Sequence, residues 1–197
     1  MLRRENAIIE LKNDSAREYA GIIFKEIAFA QKINIRGNSN NKNFMSLYGK
    51  VLQAVLPTIP NSFTSNGKIK VLWLGPNEWL VVNENANNNN DLISKLENID
   101  SQKESSITDV SENRTIIRIR GAKLYTLLSK FLVLDLEKNL ANKSSVAQTL
   151  FIKVPIILVC NNNGSNKNNY EIDLYTNRSH ANYVYHLLVD GTKNLDF

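Results

Sequence analysis

The sequence predicts an α+β protein of two lobes, each a β-α-β-β-α-β run with its helices on one face of an antiparallel sheet. Three observations predict it. Apolar residues alternate with period 2 in some segments and recur with helical spacing in others. The segments run strand, helix, hairpin, helix, strand, and then strand, helix, hairpin and helix again. Asparagine, which occurs 29 times, clusters at 38–43, 83–90 and 161–169, between the periodic segments. It tolerates left-handed backbone and bonds its own main chain, so these clusters read as loops. The plan is a duplicated ferredoxin-like one, with lobes at 1–110 and 111–197 and a boundary left open to interleaving.

Each element follows in order. Lys32 to Arg36 sets Ile33 and Ile35 between polar residues, a strand. Asn43 is placed to cap a helix running to Leu56, with Phe44, Leu47, Tyr48, Val51, Leu52 and Val55 at helical spacing and Pro57 as its stop. Ile69 to Leu74 and Trp79 to Val82 are apolar strands joined by Gly75-Pro76-Asn77-Glu78. Pro76 presets φ and Asn77 accepts turn geometry, so a hairpin is predicted. Asp91 to Leu96 reads as a short helix and Ser106 to Val110 as a strand. Thr115 to Arg120 opens the second lobe as a strand, and 121–132 forms a helix with Leu124, Leu128 and Phe131 on one face. Thr149 to Val159 is one apolar stretch, kinked or bulged at Pro155. Tyr170 to Tyr175 alternates, with Tyr170, Ile172 and Leu174 on one face. Ser179 is placed to cap a last helix whose core face carries Tyr183, Leu187 and Leu188.

The chain of 197 residues is 43% hydrophobic and 22% charged, ordinary for a globular protein that buries its own core. The single cysteine, Cys160, allows no internal disulfide and reads as a buried strand residue. The N-terminal stretch breaks its apolar run with charges, unlike a signal peptide, and no run reaches the ~18 residues of a membrane span. A cytoplasmic protein is expected. The sequons at Asn13, Asn113, Asn142, Asn163 and Asn177 then read as chance in an asparagine-rich chain. The net charge of +5 comes with interspersed acidic residues, so no nucleic-acid partner is expected.

Catalytic chemistry is hard to find. None of the eight glycines builds a phosphate loop, which argues against a nucleotide or flavin bound by such a loop. His180 and His186, six apart on the last helix, point away from one another and cannot share a metal. No nucleophile elbow is present. The expectation is no catalytic, cofactor-binding or metal residue in this chain.

One strand does stand out. Arg114, Arg118 and Arg120 share a face of the strand that begins near Thr115. Such a stripe is a solvated sheet face with carboxylate neighbours, a partner interface, or a polyanion site. No aromatic residue interleaves with the arginines, which weakens the RNA reading. Asp109 and Ser111, just upstream, read as an Asx-type turn. The two tryptophans, Trp73 and Trp79, flank the Gly75–Glu78 turn. One is expected in the core and the other, Trp79, near a partner interface.

Four segments together carry a resemblance over residues 30 to 190. WLGPNEWLVV, TDVSENRTIIRIRGAKLYTLLSKFLVLDL, VAQTLFIKVPIILV and YEIDLYTNRSHANYVYHLL occur in this order. They resemble the gamma subunit family of heterotetrameric sarcosine oxidase. Asn77 stands where that pattern has Asp, and Glu112 where it has His. Gln148-Thr149-Leu150 and Arg178-Ser179 match its Q-T-L and R-S. The resemblance implies a fold like the glycine-cleavage aminomethyltransferase (T-protein). It implies a complex that oxidatively demethylates sarcosine to glycine, forms hydrogen peroxide and passes the one-carbon unit to tetrahydrofolate. Flavin chemistry would lie in the beta subunit, NAD and folate in alpha, and zinc in delta. Gamma would hold no cofactor and would pack against the larger chains. A folate-dependent repair branch of the superfamily carries a K-G-C-x-x-G-Q-E motif. Asn142 to Thr149 reads NKSSVAQT and lacks its cysteine and glycines. The competing readings are a freestanding folate-binding aminomethyltransferase-like protein and a basic RNA binder.

Overall fold

The computed structural model describes residues 4–12, 15–84, 91–99, 105–142, 144–161, 170–193 and 195. The strands and helices are β1 (Ala16–Tyr19), β2 (Ile22–Glu26), β3 (Gln31–Arg36), α1 (Lys42–Leu52), β4 (Phe63–Ser65), β5 (Ile69–Gly75), β6 (Glu78–Asn83), α2 (Asp91–Ile99) and β7 (Ser106–Asp109), then β8 (Arg114–Gly121), α3 (Leu124–Ser129), α4 (Leu136–Asn139), β9 (Val146–Phe151), β10 (Val154–Cys160), β11 (Tyr170–Asn177) and α5 (Ala181–Thr192). The chain divides into two units. The central unit is Phe29–Glu112, and the terminal unit combines Met1–Ala28 with Asn113–Phe197.

The central unit realises the β-α-β-β-α-β plan. Its antiparallel sheet runs β4-β5-β6-β3-β7, so β3 lies between β6 and β7 as the ferredoxin-like order requires, with β4 added at one edge. Ile33, Ile35, Val71, Trp79 and Val81 share a buried cluster with Phe44, Tyr48 and Leu52 of α1 and Leu96 of α2. The helix cap is Asn41 rather than Asn43. Its Oδ1 accepts the N–H groups of Asn43 at 3.0 Å and Phe44 at 3.1 Å, which leaves Asn43 inside the first turn. The helix also ends at Leu52, short of Leu56. Gln53 takes a left-handed φ of 51° as its C-terminal cap.

In the terminal unit the sheet runs β1-β2-β8-β11-β10-β9, antiparallel throughout. This corrects the expected assignment of residues 1–28 to an N-terminal lobe. Ile23 to Glu26 of β2 pair with Ile117 to Arg120 of β8, so the first strands complete the sheet of the last segment. The β1-β2 turn is Ala20-Gly21, with φ of 50° and 73°. A Cβ on Gly121 would lie 2.7 Å from the Gly21 carbonyl oxygen, so only glycine fits where β8 passes this turn. Ile117, Ile119, Ile172 and Leu174 form the core with Leu124, Leu128, Tyr185 and Leu188.

Several local expectations change. Residues 149–159 form two strands and not one bulged strand. The chain reverses at Ile152-Lys153, with Phe151 opposite Val154 and Ile152 at φ 56°. Helix 121–132 shortens to α3. Ser179 lies in a 3-10 turn (Arg178–His180), and α5 has no side-chain cap. Tyr183 is exposed, and Val184, Tyr185 and Leu188 form the buried face instead.

Candidate functional site

The arginine stripe is built by β8 and read against β11. Register places Asp173 opposite Arg118, Glu171 opposite Arg120, and Asn177 opposite Arg114. On the other flank Lys25 faces Arg118 and Ile23 faces Arg120. Arg118 grips the carboxylate of Asp173 with both prongs of its fork, Nε to Oδ1 at 2.7 Å and Nη2 to Oδ2 at 2.9 Å. The side chain of Asp173 is fully buried, whereas that of Arg118 keeps 25% of its exposure. Glu171 stands 3.7 Å from the same Nε. Arg118 therefore neutralises a buried carboxylate, and a cation so engaged has little left for a polyanion. Arg114 is half-buried and Arg120 exposed. The carboxylates of β11 were visible in its alternation, but only register shows that they meet the arginines.

Trp79 is a core residue of the central unit and not a surface anchor. It is fully buried, its ring lies 5.8 Å from that of Phe44, and its Nε1–H donates to the Pro57 carbonyl at 2.8 Å. Trp73 stands opposite it in register and is half-buried, so the two indoles share a sheet face. The turn between them serves the sheet. Glu78 accepts from Asn34 Nδ2 at 2.8 Å and Arg36 Nη2 at 2.9 Å, and Gly37 N–H donates to the Asn77 carbonyl at 3.1 Å.

The segment 109–114 is likewise structural. Ser111 N–H donates to Asp109 Oδ1 at 2.8 Å, the expected Asx-type turn. The Ser111 hydroxyl also accepts Lys32 N–H at 2.9 Å, and Val110 N–H donates to the Lys32 carbonyl at 2.8 Å. These contacts clasp the end of the central unit to its beginning.

Sequence reasoning missed Glu26. Its buried carboxylate accepts Ala7 N–H at 3.0 Å, Ile8 N–H at 3.1 Å, Asn6 Nδ2 at 3.2 Å and the Thr115 hydroxyl at 2.5 Å. Four donors replace its water shell, and the segment before β1 is thereby fixed on the sheet. The Arg178 guanidinium donates to the Glu5 carbonyl and adds a second hold. Nearby, burial and then the Tyr19 hydroxyl hold the Tyr185 phenol above the ordinary tyrosine range. His180 lies in the 3-10 turn, and His186 Nε2 approaches Glu10 Oε1 at 3.8 Å. Among the described residues, no group of three or more His, Cys, Asp or Glu stands close enough to hold a metal ion.

The fold has counterparts among solved structures. The chain is similar to the glycine cleavage system aminomethyltransferase T from Bartonella henselae, with a TM-score of 0.63 at 10% identity. The match takes in 87% of this chain and 46% of that one, so the chain spans about half of the aminomethyltransferase. The likeness is one of fold, an α+β architecture with two antiparallel sheets. The sarcosine oxidase gamma subunit family matches residues 36–194, and the chain belongs to that family. It is 25% identical over 163 residues to the gamma subunit of sarcosine oxidase from Corynebacterium sp. (strain U-96), covering 80% of this chain and 77% of that one. Among solved structures it is similar to a chain of the heterotetrameric sarcosine oxidase from Corynebacterium sp. U-96 in complex with pyrrole 2-carboxylate. The TM-score is 0.83 at 19% identity, covering 100% of this chain and 98% of that one.

Proposed function

We propose that this chain is the non-catalytic gamma subunit of a heterotetrameric sarcosine oxidase, assembled with alpha, beta and delta chains. The observation that carries the reading is the family match over residues 36–194. In this reading the assembly works in the cytoplasm. It oxidises sarcosine to glycine, releases hydrogen peroxide and transfers the one-carbon unit to tetrahydrofolate. The flavins, NAD, tetrahydrofolate and zinc belong to the partner chains. The side chains described above support this division of labour, because the most deeply buried carboxylates, Glu26 and Asp173, are used to hold strands together. Neither a nucleic acid nor a membrane is a partner in this reading, and no helix among the described residues is long and apolar enough to cross a membrane.

The test is purification of the tagged full chain from its own cells, with mass spectrometry and visible absorbance of the eluate. Two large chains with flavin absorbance and one small zinc-binding chain are expected. A second reading, a freestanding folate-binding protein, is favoured by the likeness to aminomethyltransferase T. A colourless, solitary chain that binds tetrahydrofolate would overturn the first reading in favour of the second.

A further inference from the structure

The turn between β4 and β5 holds a chemically labile dipeptide in a network of hydrogen bonds. Among the described residues one asparagine precedes a glycine, Asn66-Gly67. A glycine nitrogen has no neighbouring Cβ to shield it, so it reaches the carboxamide carbon of a preceding asparagine more readily than other residues do. Gly67 is exposed at φ 88°, and a Cβ built on it would meet no atom within 4 Å. Water and base therefore have access to the turn.

The carboxamide of Asn66 is engaged at both ends. Oδ1 accepts Lys68 N–H at 2.9 Å and Ile69 N–H at 2.8 Å, and Nδ2 donates to the Leu52 carbonyl at 3.1 Å. Gly67 N–H donates to Ser65 Oγ at 3.1 Å. Leu52 is the last residue of α1, and a helix leaves its final carbonyls without intrahelical donors. The neutral amide suits the position because it accepts from the turn with one atom and donates to the helix end with another.

We propose that Asn66 is a site of spontaneous covalent modification, deamidation through a cyclic imide, which the fold restrains and which unlatches the end of α1 from the β4-β5 turn. A base removes the Gly67 N–H proton, and the nitrogen bonds to Asn66 Cγ. The Cγ–Nδ2 bond breaks, and Nδ2 leaves as ammonia with a proton from solvent. Water then adds to either carbonyl of the ring and opens it, to aspartate or to the isomer whose main chain runs through the side-chain carbon. Water is the only co-reactant, and nothing is oxidised or reduced. Ring closure ends the bonds of both reacting groups, Gly67 N–H to Ser65 and Nδ2 to Leu52, so the folded chain reacts through local openings of this turn. Aspartate sets a carboxylate oxygen where the amide donated, against the Leu52 carbonyl at the negative end of α1, and the latch becomes a repulsion. The isomer lengthens the main chain at the turn and loses the donor as well.

The experiment incubates the full chain at neutral pH, folded and in urea, and follows residue 66 by peptide mass (NH2 replaced by OH) and by isoaspartate detection. The folded chain is expected to convert at least about tenfold more slowly than the chain in urea, and Ser65→Ala to raise the folded rate about threefold or more while leaving the rate in urea unchanged. Asn66→Asp installs one product directly. It is expected to quicken amide exchange about tenfold at Gln53 and Ala54, whose N–H groups close the last turn of α1, while α5 keeps its protection. Equal rates folded and in urea, or a Ser65→Ala chain that reacts no faster than wild type, would overturn the restraint. A folded chain still unmodified at residue 66 long after the urea sample has converted completely would show the site closed in the native state and overturn the proposal. An Asn66→Asp chain with wild-type exchange at Gln53 and Ala54 would overturn the unlatching.

Discussion

Glu26→Ala tests how the segment before β1 is held. The carboxylate accepts two backbone amides, the Asn6 amide and the Thr115 hydroxyl, and Ile8 N–H is buried. Hydrogen bonds to a charged acceptor contribute about 1.5–3 kcal/mol each, and a buried donor left without one costs about 1–3 kcal/mol. The loss has a ceiling, because the segment can leave the sheet. Leaving exposes Ile8 and Leu11, both fully buried, at about 1.5–3 kcal/mol each. Removal of the buried charge recovers part of its desolvation cost. Together these place the destabilisation at roughly 3–5 kcal/mol. Glu26→Gln, which keeps the shape and one acceptor, should lose about half of that. The assay is urea unfolding combined with amide exchange. Exchange should quicken at residues 6–11 and along β2 while the amides of β3 and β6 keep their protection. A Glu26→Ala chain that unfolds within about 0.5 kcal/mol of wild type, with Ile8 still protected, would refute the reasoning.

Three further outcomes are expected. Trp79→Ala should cost about 3–5 kcal/mol by opening a cavity beside Phe44. Trp79→Phe should cost less, mainly the bond to Pro57; a thermal melt in which Trp79→Ala matches wild type would show that the indole is not a core residue. Arg118→Ala leaves Asp173 buried without its cation and should cost about 3–5 kcal/mol, whereas Arg118→Met with Asp173→Leu should recover most of it; a double-mutant cycle with no coupling would sink this pairing. Asp190, hydrogen-bonded to Lys193 at 2.6 Å, has its carboxyl held below the ordinary aspartate value by that bond and that charge. Its small contribution is present above the ordinary aspartate pKa and lost as pH falls through the lowered one. Melting curves of Asp190→Asn and wild type should therefore differ slightly at neutral pH and converge in acid, and a gap that widens in acid would contradict the assignment.

The central unit was readable because its elements are contiguous and each carries its own period and turn chemistry. The terminal unit was less so. Residues 16–26 mix charges with apolar residues too closely to declare two strands, and their partner β8 lies far along the chain. The β9-β10 reversal uses Ile152 and Lys153, which carry no turn signal, and Pro155 drew attention to the wrong position. Trp79 was misplaced because parity across a hairpin is undefined until the register is known. Glu26 could not be seen at all, since its importance is the burial that four distant donors permit. The arginine stripe was visible, but its meaning depended on which strand became its neighbour.

The clasp of Ser111 and Val110 on Lys32 has a consequence for the order of folding. The β2-β8 ladder joins residues roughly a hundred positions apart, an expensive closure for an unfolded chain. Once the central unit has formed, the clasp holds its two ends together, and the loop that remains is only about a dozen residues in all, roughly six on either side. Closure then costs about 1.5–2 kcal/mol less, enough to speed the docking of β2 on β8 more than tenfold. A ribosome delivers β1 and β2 first, so these strands wait, exposed, until the middle of the chain has folded and brought their partner back to them.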